Sequence, residues 1–147
     1  MSGTLSHSPA RIIAELLVNL SVGTSVTDDD WAAFAGVMPD LPDSAIAVFN
    51  SESVLFGSSM IDGEVFTHHG VQIQIRDALH EDGFVRANLI ATTLDAVDDN
   101  SVTVGASTYT IHAFARTGDV LHLGKEVEQS KRDLFSLNGI AEITKTS

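Results

Sequence analysis

The residues with chemical potential are six histidines and twenty aspartates and glutamates, in a chain of 147 residues without cysteine. Without a thiol there is no disulfide, no thiolate metal site and no cysteine nucleophile. His68 and His69 are neighbours in a stretch that reads as extended, so their side chains diverge to opposite faces and cannot share an ion. His112 and His122 fall in separate strand-like stretches, without a partner at ligand spacing. Asp28-Asp29-Asp30 lacks the D-x-D-x-D-G-x5-E order that wraps oxygens around calcium, and it reads as a solvated turn. Asp98-Asp99-Asn100 reads as a turn after a helix. No G-x-S-x-G or G-x-G-x-x-G occurs; Gly57-Ser58-Ser59 is a polar turn, and Gly124-Lys125 lacks the upstream glycine and following Ser or Thr of a P-loop. Paired carboxylates for acid–base work need a cleft, and the order of residues alone places no two together. The expectation is a protein that is not an enzyme, with no catalytic residue, cofactor or metal.

Charge narrows the partners. Twenty acidic residues against eight basic ones give a net charge of −12. Gripping a phosphate backbone takes clustered Lys and Arg, and Lys131-Arg132 is the sole adjacent basic pair. Tight nucleic-acid binding and polybasic membrane attachment are both disfavoured. An acidic surface keeps a protein soluble, and in a sharper reading it repels DNA. No run approaches the ~18 apolar residues of a membrane span, and Met1 to His7 has neither the basic nor the apolar region of a secretory signal. A hydrophobic fraction of 44% and a mean hydropathy of +0.15 exclude a disordered chain. The length suits a single domain over 1–147 with a real core.

The elements follow from local pattern. Residues 1–7 are polar and read as frayed. Ser8-Pro9 is an N-cap followed by proline at the first helical position, and Ile12, Ile13, Leu16, Leu17 and Leu20 then keep a helical period. This predicts a helix over about 9–21, with Gly23 as its left-handed cap. Trp31 to Val37 and Ala45 to Phe49 read as strands around a proline loop. Val71-Gln72-Ile73-Gln74-Ile75-Arg76 is the clearest strand: Val71, Ile73 and Ile75 on a buried face, the glutamines and Arg76 on a polar one. Glu64 to His69 reads as its lead-in. A second helix fits about 81–97, its stripe begun by Phe84 and continued by Ala87, Ile90, Ala91 and Leu94. Val102-Thr103-Val104 and Thr108 to Arg116 form a hairpin. In its second arm, alternation places Tyr109, Ile111 and Ala113 on one face and Thr110, His112 and Phe114 on the other. Val120 to Leu123 and Leu134 to Thr144 complete the strands. The fold class is α+β: two helices against one mainly antiparallel, or mixed, sheet in a single domain. The expected core is Ile12, Ile13, Leu16, Leu20, Ala87, Ile90 and Leu94 against Val71, Ile73, Ile75, Ile111 and Leu137.

The order of these features resembles a known family. Met38-Pro39-Asp40-Leu41-Pro42-Asp43 before the short strand is similar to the P-D-x-P-D-N/S opening of bacteriophage tail terminator proteins, also termed tail completion or minor capsid proteins. The segment Asp62-Gly63-Glu64 through His69-Gly70-Val71-Gln72-Ile73-Gln74-Ile75-Arg76 is similar to that family's H-x-G-v-Q-i-x-v-R strand. A helix and a hairpin follow in the family's order, and Arg132-Asp133-Leu134-Phe135-Ser136-Leu137-Asn138 resembles its closing R-x-x-F-S-L-N strand. The resemblance spans about residues 8–144. It implies an α+β subunit of a hexameric ring at the head-proximal end of a long non-contractile tail. Such a ring ends tail-tube polymerisation and meets the head-tail connector proteins. Its partners are then further copies of itself, the tail tube protein and the connector. DNA passes through without specific binding, no membrane is involved, and the location is the virion neck after assembly in the host cytoplasm. A head-side connector or stopper subunit is the nearest alternative; a small-ligand or hydrolytic α+β domain is a more distant one.

Two sets of residues are candidates for contacts. Val54, Leu55, Phe56, Met60 and Ile61 are large apolar residues in a segment that fits no regular element, where isolated loops are polar, so they are expected against a neighbouring subunit. Asp28, Asp29, Asp30, Asp98, Asp99 and Asp119 are turn acids expected to line a channel, where carboxylates keep phosphates from pausing.

Overall fold

A computed structural model of the protein describes residues 5–25, 31–39, 43–51, 60–61, 64–65, 67–78, 80–125 and 132–146. Helix α1 (Pro9–Asn19) begins as its sequence dictates: the Ser8 hydroxyl accepts from the Arg11 N–H, and Pro9 occupies the first turn. The helix ends earlier than periodicity predicts. Leu20 caps it and is half-buried rather than buried, and Ser21, not Gly23, takes the left-handed conformation at φ 63. Gly23 serves close approach instead, since a Cβ there would meet the Trp31 carbonyl oxygen at 3.3 Å. Residues 5–7 are not frayed. Ser6 N–H donates to the Tyr109 hydroxyl, His7 Nδ1 lies 2.7 Å from the same oxygen, and Lys145 Nζ donates to Ser6 Oγ.

The strands are β1 (Ala32–Ala35), β2 (Ala45–Asn50), β3 (Met60–Ile61), β4 (Glu64–Val65), β5 (Thr67–Asp77), β6 (Asn100–Val104), β7 (Ser107–Arg116), β8 (Leu121–Lys125) and β9 (Asp133–Lys145), with α2 (His80–Asp95) between β5 and β6. Seven of them form one curled sheet in the order β1-β2-β5-β9-β7-β6, with β8 also paired to β9. The sheet is mixed because β1 runs parallel to β2; every other pairing is antiparallel. Of the lead-in expected over 64–69, residues 67–69 belong to β5, while the backbone of 64–65 pairs with β3 in a separate two-stranded ribbon. The central pair is β5 with β9, in register from Thr67↔Ile143 to Asp77↔Asp133.

Both helices cover one face of the sheet. Val71, Ile73, Ile75, Phe135, Leu137 and Ile143 lie there beneath Ile12, Ile13, Leu16, Ala87, Ile90 and Leu94, all buried. The stripe of α2 starts at Gly83 rather than Phe84, which is 46% exposed. Phe135 explains the substitution: a Cβ on residue 83 would stand 2.8 Å from its ring. In β7 the alternation reverses. A bulge between Ile111 and Ala113 inserts His112 as an extra residue, so Phe114 joins Tyr109 and Ile111 in the core and Ala113 turns outward. Arg76 departs from its expected polar face in another way. It is fully buried, with its Nε donating to the Asp43 carbonyl at 3.2 Å.

Candidate functional site

Residues paired across strands share a face, so the registers define the side of the sheet that neither α1 nor α2 covers. One row crosses five strands: Phe34, Ala47, Gln74, Ser136 and Leu121. The adjacent row holds Phe49, Gln72 and Asn138. Beyond them lie Ile140 with Ala115, then His68, Glu142 and Ala113. An amide ladder runs down the centre. Gln72 Nε2 donates to Ser136 Oγ at 3.2 Å, and Gln74 Nε2 donates to Gln72 Oε1 at 3.4 Å. Apolar residues flank it, with Phe34 and Phe49 on one side and Leu121, 54% exposed, on the other.

This face is poor in charge. Arg76 is sealed within it, and Glu142 at one end lies 3.5 Å from His68. An antiparallel sheet with one face in water alternates apolar residues with strongly polar ones. Here, in a chain of net charge −12, the positions on this side from β2 to β9 carry amides, small residues and aromatics instead, with Ala45, Ala47, Arg76 and Ser136 buried and Gln72 and Gln74 half-buried.

His112 Nδ1 donates to Asp99 Oδ1 at 2.6 Å, and its Nε2 lies 2.8 Å from the Thr144 hydroxyl. His122 Nε2 donates to Asp133 Oδ1 at 3.0 Å while its ring lies over Phe135. His69, on the helix-covered face, has its pKa pushed below 6.5, first by burial and second by His68. Among the described residues no group of three or more His, Asp or Glu is arranged to hold a metal ion.

Of the expected subunit-contact residues, Val54, Leu55 and Phe56 lie outside the described residues. The backbone of Met60 and Ile61 forms β3, so this part of the segment is a regular element after all. Of the expected channel acids, Asp28, Asp29 and Asp30 also lie outside the described residues. Asp98 and Asp99 are exposed in the turn between α2 and β6, whereas Asp119 is exposed between β7 and β8. The fold does not gather them: Asp99 N–H donates to the His112 carbonyl in mid-β7, and Asp119 follows the far end of that strand. Asp99 holds φ 52, tied by that backbone bond and by its side chain to His112. The outer face of the sheet was missed as a unit by sequence reading. Its signal was the pairing of glutamines in Gln72-Ile73-Gln74 with the Ser and Asn of Phe135-Ser136-Leu137-Asn138, which only strand register turns into one surface.

No protein-family model matches the chain, and no curated protein matches it. Among solved structures, a chain from the virion of a native gene transfer agent particle is similar over 88% of this chain and 84% of its own, with 11% identity and a TM-score of 0.46.

Proposed function

We propose that the protein is a non-enzymatic ring subunit that ends the tail tube of a long-tailed phage and joins the tail to the head connector. The observation that supports this reading is the charge-poor outer face of the sheet in a strongly acidic chain. Its centre is β5 and β9, the strands that carry the two longest motifs of the tail-terminator resemblance. A ring subunit has to bury surface against identical neighbours, and buried contact centres are depleted in charge. Exposed acids occur in the described turns and on α2, where a hexameric ring can direct them to a lumen that passes DNA without holding it. Asp98, Asp99 and Asp119 are the described candidates for that wall. The partners in this reading are five further copies, the tail tube protein and the connector, within the virion neck after assembly in the host cytoplasm.

Electron-microscope class averages of the purified protein, alone and mixed with tail tubes, test it. Six-fold rings or tubes capped at one end are expected. Twelve-fold rings that ignore tubes transfer the role to the head side, and the absence of both rings and caps overturns the reading.

A further inference from the structure

Helix α2 carries a second apolar surface, turned away from the core. Phe84, Val85 and Leu89 are 46%, 63% and 43% exposed. Val85 and Leu89 form one wall of a cleft of about 520 Å³, a size that accommodates a small molecule or anchoring side chains. Trp31, Asp43 and Ser44 face them, and Asp77, Ala78 and Asp82 line the cleft where β5 passes into α2.

The floor is built under strain. Trp31 has φ 64, an unfavourable backbone for a bulky residue. It is held there by its N–H, which donates to the Ser44 carbonyl at 2.8 Å, and by its own carbonyl, which accepts from the Thr24 N–H at 3.0 Å. The Arg86 guanidinium lies 4.8 Å from the indole ring centroid, and its Nη1 donates to the Val22 carbonyl. Burial pushes this guanidinium down from its ordinary value and Asp77 acts against that, but an arginine remains charged. Arg86 is therefore directed inward, to the ring and the backbone. Toward solvent the cleft offers an apolar ridge and the carboxylates of Asp43 and Asp82, while Asp77 is buried. Asp77 accepts from Ser44 Oγ at 2.8 Å, and Asp43 lies 3.4 Å from Arg132.

We propose that this cleft docks a basic apolar segment of a partner polypeptide, with an aliphatic side chain against Trp31, Val85 and Leu89 and a Lys or Arg beside Asp82. Charge complementarity selects that occupant. Asp43, Asp77 and Asp82 outnumber the guanidiniums of Arg86 and Arg132 beside them, which disfavours an anion and favours a cationic side chain at the exposed Asp82. The site goes beyond the ring reading and holds whether or not rings form.

Trp31 is the chain's single tryptophan, so its fluorescence reports on this cleft alone. The probes are acetyl-Leu-Lys-Leu-Lys-Leu amide and its counterpart with Glu in place of Lys. The basic peptide is expected to change Trp31 emission saturably and to bind about tenfold or more tighter than the acidic one. Asp82→Asn and Leu89→Ser are each expected to weaken it about fivefold or more. Asp119→Asn, in the turn between β7 and β8, removes the same charge elsewhere and should leave affinity within about twofold. Equal weakening by Asp82→Asn and Asp119→Asn, equal binding of the two peptides, or no saturable change overturns the proposal. Cooperative thermal unfolding of each variant shows that the fold is kept; if Leu89→Ser fails that check, the Asp82 and Asp119 pair decides.

Discussion

The two faces of β5 lie within one strand and have opposite surroundings. Val71, Ile73 and Ile75 are fully buried beneath the helices, while Gln72 and Gln74, one residue out of phase, are half-buried in an amide ladder that neither α1 nor α2 covers. On the first face the side chains are apolar and interlocked, and removing volume leaves a cavity. On the second, half-buried amides hydrogen-bond beside the buried Ala47 and Ser136, and such bonds substitute for solvent at little net gain. The difference teaches that the helix-covered side, with its interlocked apolar residues, carries more of the stability than the amide side, on which the proposed ring contact draws.

The largest expected effect tests that division directly. Ile73→Ala should lower unfolding free energy by about 2–5 kcal/mol, whereas Gln74→Ala should stay within about 0.5 kcal/mol, both read from urea titrations. Equal losses at the two positions would break the comparison. A second test adds volume rather than removing it. A Cβ on Gly139 would collide with the Phe114 ring and come within 3.0 Å of the Ala115 carbonyl oxygen. Gly139→Ala should therefore destabilise by about 1–3 kcal/mol, while Gly118→Ala, with nothing within 4 Å of the added carbon, should be near neutral.

The smallest effect is electrostatic. His69 belongs to the helix-covered side, and burial lowers its pKa from 6.5. Below that ordinary value the unfolded chain binds the proton more readily than the folded one, so stability is full above it and falls as pH drops through the window beneath it. His69→Gln should flatten this part of the pH profile, measured as the urea midpoint from neutral to mildly acid pH. An unchanged slope in the variant would remove His69 from the account.

Much of this architecture was legible because single elements carry their own signal. Ser8-Pro9 starts α1 through a hydroxyl cap, and the alternation of β5 fixes which side of it is buried. What failed depended on neighbours distant in sequence. Phe84 looks like the start of a stripe until Phe135 arrives from β9 and requires glycine at 83. Arg76 reads as solvated until the Asp43 carbonyl meets it across the fold. The bulge at His112 reverses the face of Phe114, and nothing in Ile111-His112-Ala113 announces an extra residue. The same reason hid the surfaces. The outer face exists only through the β5–β9 register, and the cleft joins Trp31 to Arg86 through a left-handed tryptophan that no local pattern encodes.

The central claim is that this chain folds through one face of its sheet and assembles into a ring as a structural subunit. Native mass spectrometry of the purified protein across a concentration series tests it most directly. The account predicts a discrete hexamer of the 15.6 kDa chain, one that persists in the folded Gln74→Ala variant and is lost when Gln74→Lys places a charge in the amide ladder. A 15.6 kDa monomer at every concentration, or a hexamer indifferent to that lysine, would contradict it.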